Sequence, residues 1–139
     1  MIRNYRQLIV WQKSIALAER IYPLARALPD EERFGLSFQL RKCAVSIPSN
    51  IAEGHTRRST KDYLRFLSIA LGSVAEAETQ LLLAVRLGML VPEQTTPAEI
   101  LLNEVGKMLR AIQAKLEAGL VAEEAAEYST TSQPLTPDP

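Results

Sequence analysis

Apolar residues recur along this chain at alternating steps of three and four, the spacing that places them on one face of an α-helix. Residues 7–28 carry two such stripes. The first stripe is Leu8, Trp11, Ile15, Ala18, Tyr22 and Ala25, and the second is Val10, Leu17, Ile21, Leu24 and Leu28. Together they make more of this helix apolar than one neighbour covers, so the first helix is predicted to contact two neighbours or a second subunit.

Prolines and a glycine set the predicted bounds of the second helix. Asp30 is predicted to cap its N-terminus, and Gly54 to end it in the left-handed conformation. Proline lacks the N–H that a helix interior uses, so Pro48 is predicted to bend or stop this helix, and Pro23 to kink the first one. Its apolar stripe is Leu36, Leu40, Cys43, Ile47 and Ile51.

Two more helices have clearer signals at their starts. Ser59 followed by Asp62 forms a capping-box-like pair that opens the third helix, and Gly88 closes it. Thr96 followed by Pro97 predicts the start of the fourth helix. The predicted buried stripes are Leu67, Ala70, Val74, Ala77, Leu81 and Val85 on the third helix, and Leu101, Val105, Met108, Ile112 and Leu116 on the fourth.

Four amphipathic helices with short connections pack most simply as an all-α, antiparallel up-and-down four-helix bundle. The chain has 139 residues, of which 47% are apolar and 6% aromatic, which favours one core of helices over a sheet. After Gly119 the periodicity fades into Glu, Ser, Thr and Pro. We therefore predict a bundle domain at residues 1–118 and a disordered, acidic and Pro-rich tail at residues 119–139.

Several kinds of site are not expected. The longest apolar runs are far shorter than the ~20 residues of a membrane-spanning helix, and the N-terminus lacks the apolar stretch of a signal peptide, so a cytoplasmic protein without a membrane partner is predicted. The lone Cys43 suits a reducing compartment. A di-iron site in a four-helix bundle needs two histidines, whereas this chain has only His55, in a predicted exposed turn. No metal, cofactor or catalytic residue is predicted.

The zero net charge hides an asymmetry between the two halves of the chain. Up to Arg65 there are 12 Lys or Arg against 6 Asp or Glu, and from Phe66 onward there are 4 against 10. Such a polarised chain can attract an anion with one region, or the opposite region of a second copy. The candidate nucleic-acid-binding residues are Arg41, Lys42, Arg57, Arg58, Lys61 and Arg65. A solvated surface or a salt-bridging subunit contact is the competing interpretation.

A second group of polar residues is predicted to lie between the second and third helices. It consists of Asn50, Glu53, Glu76 and Glu78, flanked by serines, with Arg41 as the expected partner of a buried carboxylate. Because Glu76 and Glu78 are two positions apart on a helix, at most one points inward. We interpret this group as a structural polar network that fixes helix register or the subunit contact.

The run SIPSNIAEG, within the longer stretch 34–80, strongly resembles a bacterial four-helix bundle family named after proteins encoded in intervening sequences of large-subunit ribosomal RNA genes. The opening LIVWQKSIALAERIY is similar to that family's first helix. The resemblance implies a four-helix bundle, a cyclic homo-oligomer that is typically a pentamer, and no known enzymatic activity. A related branch, the accessory proteins of diversity-generating retroelements, binds nucleic acid through a basic surface. The acidic, Pro-rich tail departs from the family's pattern.

Residues and resemblance together predict a non-enzymatic homo-oligomer that acts as a scaffold or interaction protein. The aromatic residues Trp11, Tyr22 and Tyr5 are either core fillers or an exposed anchor for a second subunit. The alternative function is a nucleic-acid-binding accessory protein that uses its basic surface.

Overall fold

The computed structural model describes residues 3–131, with side chains as far as Ser129. Its four α-helices are α1 (Ile9–Ala27), α2 (Leu36–Thr56), α3 (Thr60–Arg86) and α4 (Pro92–Thr131). Short 3-10 helices lie at Tyr5–Gln7 and Asp30–Glu32. The described residues form no strand, and the predicted all-α class is confirmed.

The helices form a ring in which α1 contacts α2, α2 contacts α3, α3 contacts α4, and α4 returns to α1. Ser46 Oγ of α2 lies 2.8 Å from Ser73 Oγ of α3, and Cys43 lies 3.5 Å from Glu76. Between these two contacts the residue number decreases along α2, from 46 to 43, and increases along α3, from 73 to 76. The two helices are therefore antiparallel. The helices α1 and α4 are also antiparallel, because Lys13 meets Glu104 while Pro23 lines a pocket with Gln94. The same holds for α3 and α4, because Ser68 meets Gln113 while Val74 lies near Gly106.

The core takes one face from each helix. On α1 it is the second predicted stripe that is buried. On α4 the predicted stripe is displaced by one position: Val105 is buried, but the other members are only half-buried at the edge of the core. The residues that α4 buries most deeply are Thr95, Ala98, Leu102, Val105 and Leu109. A period of 3.6 residues allows two adjacent apolar stripes on one helix, and the contacts of α4 with α1 and α3 bury the second stripe.

Three of the predicted interruptions of α1 and α2 are resolved by the structure. α1 continues through Pro23, and α2 continues through Pro48, which is buried. The prediction that Gly54 ends α2 in the left-handed conformation is wrong, because α2 continues to Thr56. Gly54 instead lies at a close approach of α2 and α3: a Cβ atom built on it would lie 2.8 Å from Phe66 Cβ.

The predicted helix starts are partly correct. Ser59 caps α3, with its Oγ accepting from Asp62 N at 3.3 Å, and Gly88 follows α3 at a φ of 76°. Asp30 does not cap α2: it opens a 3-10 helix, and Leu36 N donates to Glu32 Oε2 at 2.9 Å instead.

The fourth helix begins a turn earlier than predicted and ends later. It starts at Pro92, where Gln94 Oε1 accepts from Val91 N at 2.9 Å, so Thr96 lies inside the helix. Residues 119–131 continue this helix as an extension rich in Ala and Glu, both strong helix formers, and residues 121–129 of it are exposed. The division into a bundle at 1–118 and a tail at 119–139 stays a prediction, and residues 132–139 lie outside the described part.

One described helix, α3, is long and apolar enough to span a membrane by length and composition alone. Its most apolar window has a mean hydropathy of 1.3, and 39% of that window is buried inside the bundle. The core helix of a bundle passes the same test, because it is apolar on the side that its neighbours cover. The absence of a membrane partner stays a prediction.

Candidate interaction site

An apolar groove runs along the outside of the bundle between α1 and α2, and we call it the α1–α2 groove. Its residues are Tyr5, Trp11, Ile15, Ala18 and Tyr22 on one side, and Phe38, Arg41, Lys42, Val45, Ser46, Pro48, Ser49 and Ala52 on the other. Two connected pockets of about 360 and 430 Å³ lie along it, and both are lined by Val45 and Ser49.

The groove exists because α1 carries two apolar stripes. The second stripe enters the core, and the first, from Leu8 to Tyr22, stays half-buried at the surface. The first helix was predicted to contact two neighbours or a second subunit, and α1 does contact two helices of its own chain, α2 and α4. These two helices do not cover its apolar surface fully. From α2, Phe38 and Val45 are 45% and 49% exposed.

The aromatic residues at the N-terminal end of the groove hold one another in place. The rings of Tyr5 and Trp11 meet edge to face, with centroids 5.3 Å apart. Asn4 and Gln7 form a capping box around the 3-10 helix that carries Tyr5. Trp11 and Tyr22 thus lie at the boundary between core and surface, combining the two predicted roles. Since rigid aromatic residues lose little entropy on association, this end of the groove is suited to an interface.

Four of the predicted basic residues come together where α2 turns into α3, and we call Arg57, Arg58, Lys61 and Arg65 the basic turn. Arg57 Nη2 lies 2.8 Å from Glu53 Oε1. The guanidinium carbons of Arg57 and Arg65 lie 4.9 and 4.5 Å from the ring centroid of Phe66. Phe66 thus anchors two arginines through cation–π contacts, while Arg58 and Lys61 are exposed.

The structure separates Arg41 and Lys42 from the basic turn. They lie near the start of α2, sixteen positions before Arg57, which is roughly 24 Å along a helix. Arg41 Nη2 donates to the carbonyl oxygen of Arg33 at 3.2 Å. The six predicted nucleic-acid-binding residues therefore form two sets at opposite ends of α2, and their binding of nucleic acid stays a prediction.

A polar network connects α2 and α3, and it consists of Asn50 and two serines, whereas the prediction also included three carboxylates. Asn50 Nδ2 donates to Ser46 O at 2.8 Å and to Ser46 Oγ at 3.0 Å, and Ser46 Oγ lies 2.8 Å from Ser73 Oγ. Of the predicted carboxylates, Glu53 is exposed and paired with Arg57, and Glu78 is exposed. Arg41 pairs with none of them, because it lies at the opposite end of α2 from Glu53.

The remaining predicted carboxylate, Glu76, accepts a hydrogen bond from the buried Cys43 thiol, with Sγ and Oε2 3.5 Å apart. Burial, followed by this hydrogen bond to Glu76, raises the pKa of Cys43 to about 11. The thiol is therefore protonated at neutral pH and acts as a small apolar residue with one donor. Beside it, Gln80 Oε1 is buried without a hydrogen-bond partner among the described residues, which no sequence pattern signalled.

The single histidine does not lie in an exposed turn as predicted. His55 is half-buried in the last turn of α2, where its ring meets the edge of Tyr63 at a centroid distance of 5.8 Å. Between residues 3 and 129, the structure groups no three His, Cys, Asp or Glu side chains that could hold a metal ion. The predicted absence of a metal and of a cofactor stays a prediction.

Comparison with known proteins identifies relatives of the whole bundle. A family model described as "23S rRNA-intervening sequence protein" matches residues 6–111. No curated protein matches the chain. Among solved structures, a protein of unknown function from the S23 ribosomal protein family of Bacteroides thetaiotaomicron VPI-5482 is 32% identical, with a TM-score of 0.70. That match covers 76% of this chain and 98% of the other. This chain therefore belongs to the 23S rRNA-intervening sequence protein family.

Proposed function

We propose that this protein is a non-enzymatic, cytoplasmic scaffold or interaction protein whose copies associate through the α1–α2 groove. The observation that carries the proposal is the half-buried stripe from Leu8 to Tyr22, which faces outward beside the exposed Phe38 and Val45. Five copies in a closed ring is the stoichiometry that the sequence resemblance implies. The partner in this proposal is therefore a second copy of the same chain.

The dimensions of the groove support association. Its α1 wall runs from Trp11 to Tyr22, which is roughly 17 Å of helix. A stable interface buries on the order of 800 Å² on each partner, with aromatic residues near its centre. The groove supplies such a centre, with Trp11 and Tyr22 on α1 and Phe38 on α2.

The opposite side of the bundle offers a complementary surface. The exposed apolar residues in the second half of α3, the α3–α4 connection and the first half of α4 are Leu82, Leu83, Leu87, Val91 and Ile100. The part of the chain that contains them carries 4 Lys or Arg against 10 Asp or Glu, whereas the part that forms the groove carries 12 against 6. Contact between two different surfaces is heterologous, and it closes into a ring when the rotation between copies allows. Opposite charge favours that contact over the contact of like surfaces.

Trp11, the single tryptophan of the chain, reports directly on the groove. On dilution from micromolar to low nanomolar protein, its fluorescence emission is expected to shift to longer wavelength, because dissociation exposes the indole ring to water. The shift is expected to follow the loss of the oligomer in mass photometry on the same samples.

The variant Val45→Glu provides the control for this titration. Its emission is expected to start at the long-wavelength value and to stay there at every concentration. Emission that is independent of concentration in the wild-type protein, while its mass falls from oligomer to monomer, would place the interface elsewhere.

Nucleic-acid binding is the second candidate function, and the basic turn is the observation that favours it. Arg58 and Lys61 are exposed, and no carboxylate oxygen lies within 4.0 Å of either among residues 3–129. The nearby N-terminus of α3 adds a partial positive charge. Two free cations beside two anchored arginines can neutralise adjacent phosphates of a nucleic-acid backbone.

The test of this second function is fluorescence anisotropy with an RNA hairpin and a DNA duplex over a salt series. Replacing both Arg58 and Lys61 by Gln is expected to lower the slope of log affinity against log salt by about 2, because each lost phosphate contact removes about 0.9. The matched control replaces Arg86 and Lys107, which are exposed elsewhere, by Gln. Equal slopes for the wild type and both double variants would exclude the basic turn as a nucleic-acid site.

A further inference from the structure

At the other end of the bundle, three arginines surround a pocket of about 320 Å³ between the end of α1 and the start of α2. We call it the arginine pocket, and its cations are Arg26, Arg33 and Arg41. They come from three successive elements: α1, the connection that follows the 3-10 helix, and α2. The fold therefore brings together three guanidinium groups that lie up to fifteen positions apart in the chain.

Each arginine is held near an aromatic ring. The guanidinium carbon of Arg26 lies 5.8 Å from the centroid of Tyr22, that of Arg33 lies 5.4 Å from Phe34, and that of Arg41 lies 5.9 Å from Phe38. Arg41 is also tethered by its bond to the Arg33 carbonyl oxygen, at 3.2 Å. Guanidinium groups positioned in this way lose less entropy when they bind an anion.

The positive charge of the pocket is not neutralised by direct ion pairs. In the described residues, no carboxylate oxygen lies within 4.0 Å of a nitrogen of these three arginines. Asp30 is the single carboxylate in the lining, against three guanidinium groups. The neighbouring Glu32 keeps its charge but lies outside the lining, with its Oε2 accepting from Leu36 N at 2.9 Å.

The other lining residues that bear on binding are a buried serine and three largely apolar side chains. Ser37 is buried, and its hydroxyl donates to the carbonyl oxygen of Ala25 at 2.9 Å. Leu28, Pro29 and Tyr22 form the apolar part. Small-ligand pockets have volumes of roughly 300 Å³ and above and orient their ligand through a few convergent polar groups.

We propose that the arginine pocket binds a phosphate monoester, with the guanidinium groups on the phosphate oxygens and the attached organic group against Tyr22, Leu28 and Pro29. Planar guanidinium groups match phosphate geometry through paired N–H bonds, which ammonium groups do not reproduce. This inference goes beyond the proposed function, because it holds for one copy of the chain. Tyr22 and Arg41 also line the α1–α2 groove, so bound phosphate lies at the edge of the proposed interface.

Isothermal titration of the full chain with phenyl phosphate, at low and constant ionic strength, tests the proposal. The variants Arg26→Gln and Arg41→Gln are each expected to weaken binding about tenfold or more, because a hydrogen bond to a charged group is lost. Arg86→Gln is the matched control: this residue is exposed at the same end of the bundle but does not line the pocket. Its affinity is expected to equal that of the wild type.

A second titration, with oligonucleotides, distinguishes a nucleic-acid end from a small metabolite as the natural phosphate monoester. A 5′-phosphorylated oligonucleotide that binds more tightly than its 5′-hydroxyl counterpart, with the same loss in Arg41→Gln, supports a nucleic-acid end as the source. Binding of phenyl phosphate alone supports a small metabolite. The proposal is overturned if neither phosphate monoester binds, or if Arg86→Gln weakens binding as much as Arg41→Gln. Melting temperatures and native masses of all variants are measured alongside, so that a loss of folding or assembly is recognised separately.

Discussion

Replacing Val45 by Glu is expected to convert the assembled protein into monomers without unfolding the bundle. Val45 lines both pockets of the α1–α2 groove and is 49% exposed in the single chain. A carboxylate there is hydrated in the monomer but is desolvated when a second copy covers the groove. Arg41 and Lys42 line the same pocket, but the desolvation of a buried carboxylate can exceed what an ion pair returns, at a cost of several kcal/mol. Each 1.4 kcal/mol weakens association about tenfold.

The measurement is sedimentation velocity at micromolar concentration, with circular dichroism to confirm unchanged helix content. Val121→Glu is the matched control, because Val121 is 65% exposed on the extension of α4, away from the groove. It is expected to retain the wild-type mass. If Val45→Glu also sediments as the wild-type oligomer, the groove is not the interface.

Substituting Gly54 by Ala is expected to destabilise the bundle by about 1–3 kcal/mol, the usual range for overpacking a core. The added Cβ atom would lie 2.8 Å from Phe66 Cβ and 3.0 Å from Tyr63 Cδ1. Both contacts are with α3, so relief requires the two helices to move apart. Alanine favours a helix over glycine by up to about 1 kcal/mol, and the steric clash outweighs this gain.

Gly72→Ala is the control for this prediction, and its expected sign is opposite. Gly72 lies inside α3, is exposed, and would have no heavy atom within 4 Å of an added Cβ. Only the higher helix propensity of alanine then changes the stability, and the free energy of unfolding is expected to increase by roughly 0.5–1 kcal/mol. Urea denaturation at one fixed protein concentration measures both values. A Gly54→Ala protein as stable as the wild type would show that α2 and α3 pack less closely here than described.

The fold was largely predictable because helical periodicity and one strong cap are local signals. Ser59 marks the start of α3 by a contact with a residue three positions away, which the sequence displays directly. Gly54 was misassigned for the opposite reason. A glycine that ends a helix and one that admits a neighbouring helix look the same in sequence, and only the partner residue Phe66 distinguishes them.

The candidate site was predictable in composition but not in arrangement. The two stripes on the first helix indicated an extra apolar surface, and the structure leaves Trp11 and Tyr22 half-buried there. The basic residues were identified by type, yet their division between the two ends of α2 depends on the length of a helix that continues through Pro48. The arginine pocket had no sequence signal, because the connection between α1 and α2 brings Arg26 and Arg41 together.

The native mass of the wild-type protein shows whether copies associate through the surface left open on α1. Size-exclusion chromatography with light scattering at micromolar concentration, in low and moderate salt, is the measurement. We expect a multiple of the 15.4 kDa chain mass in both buffers, with five copies as the multiple that the family resemblance implies. A mass of 15.4 kDa in both buffers would contradict this expectation.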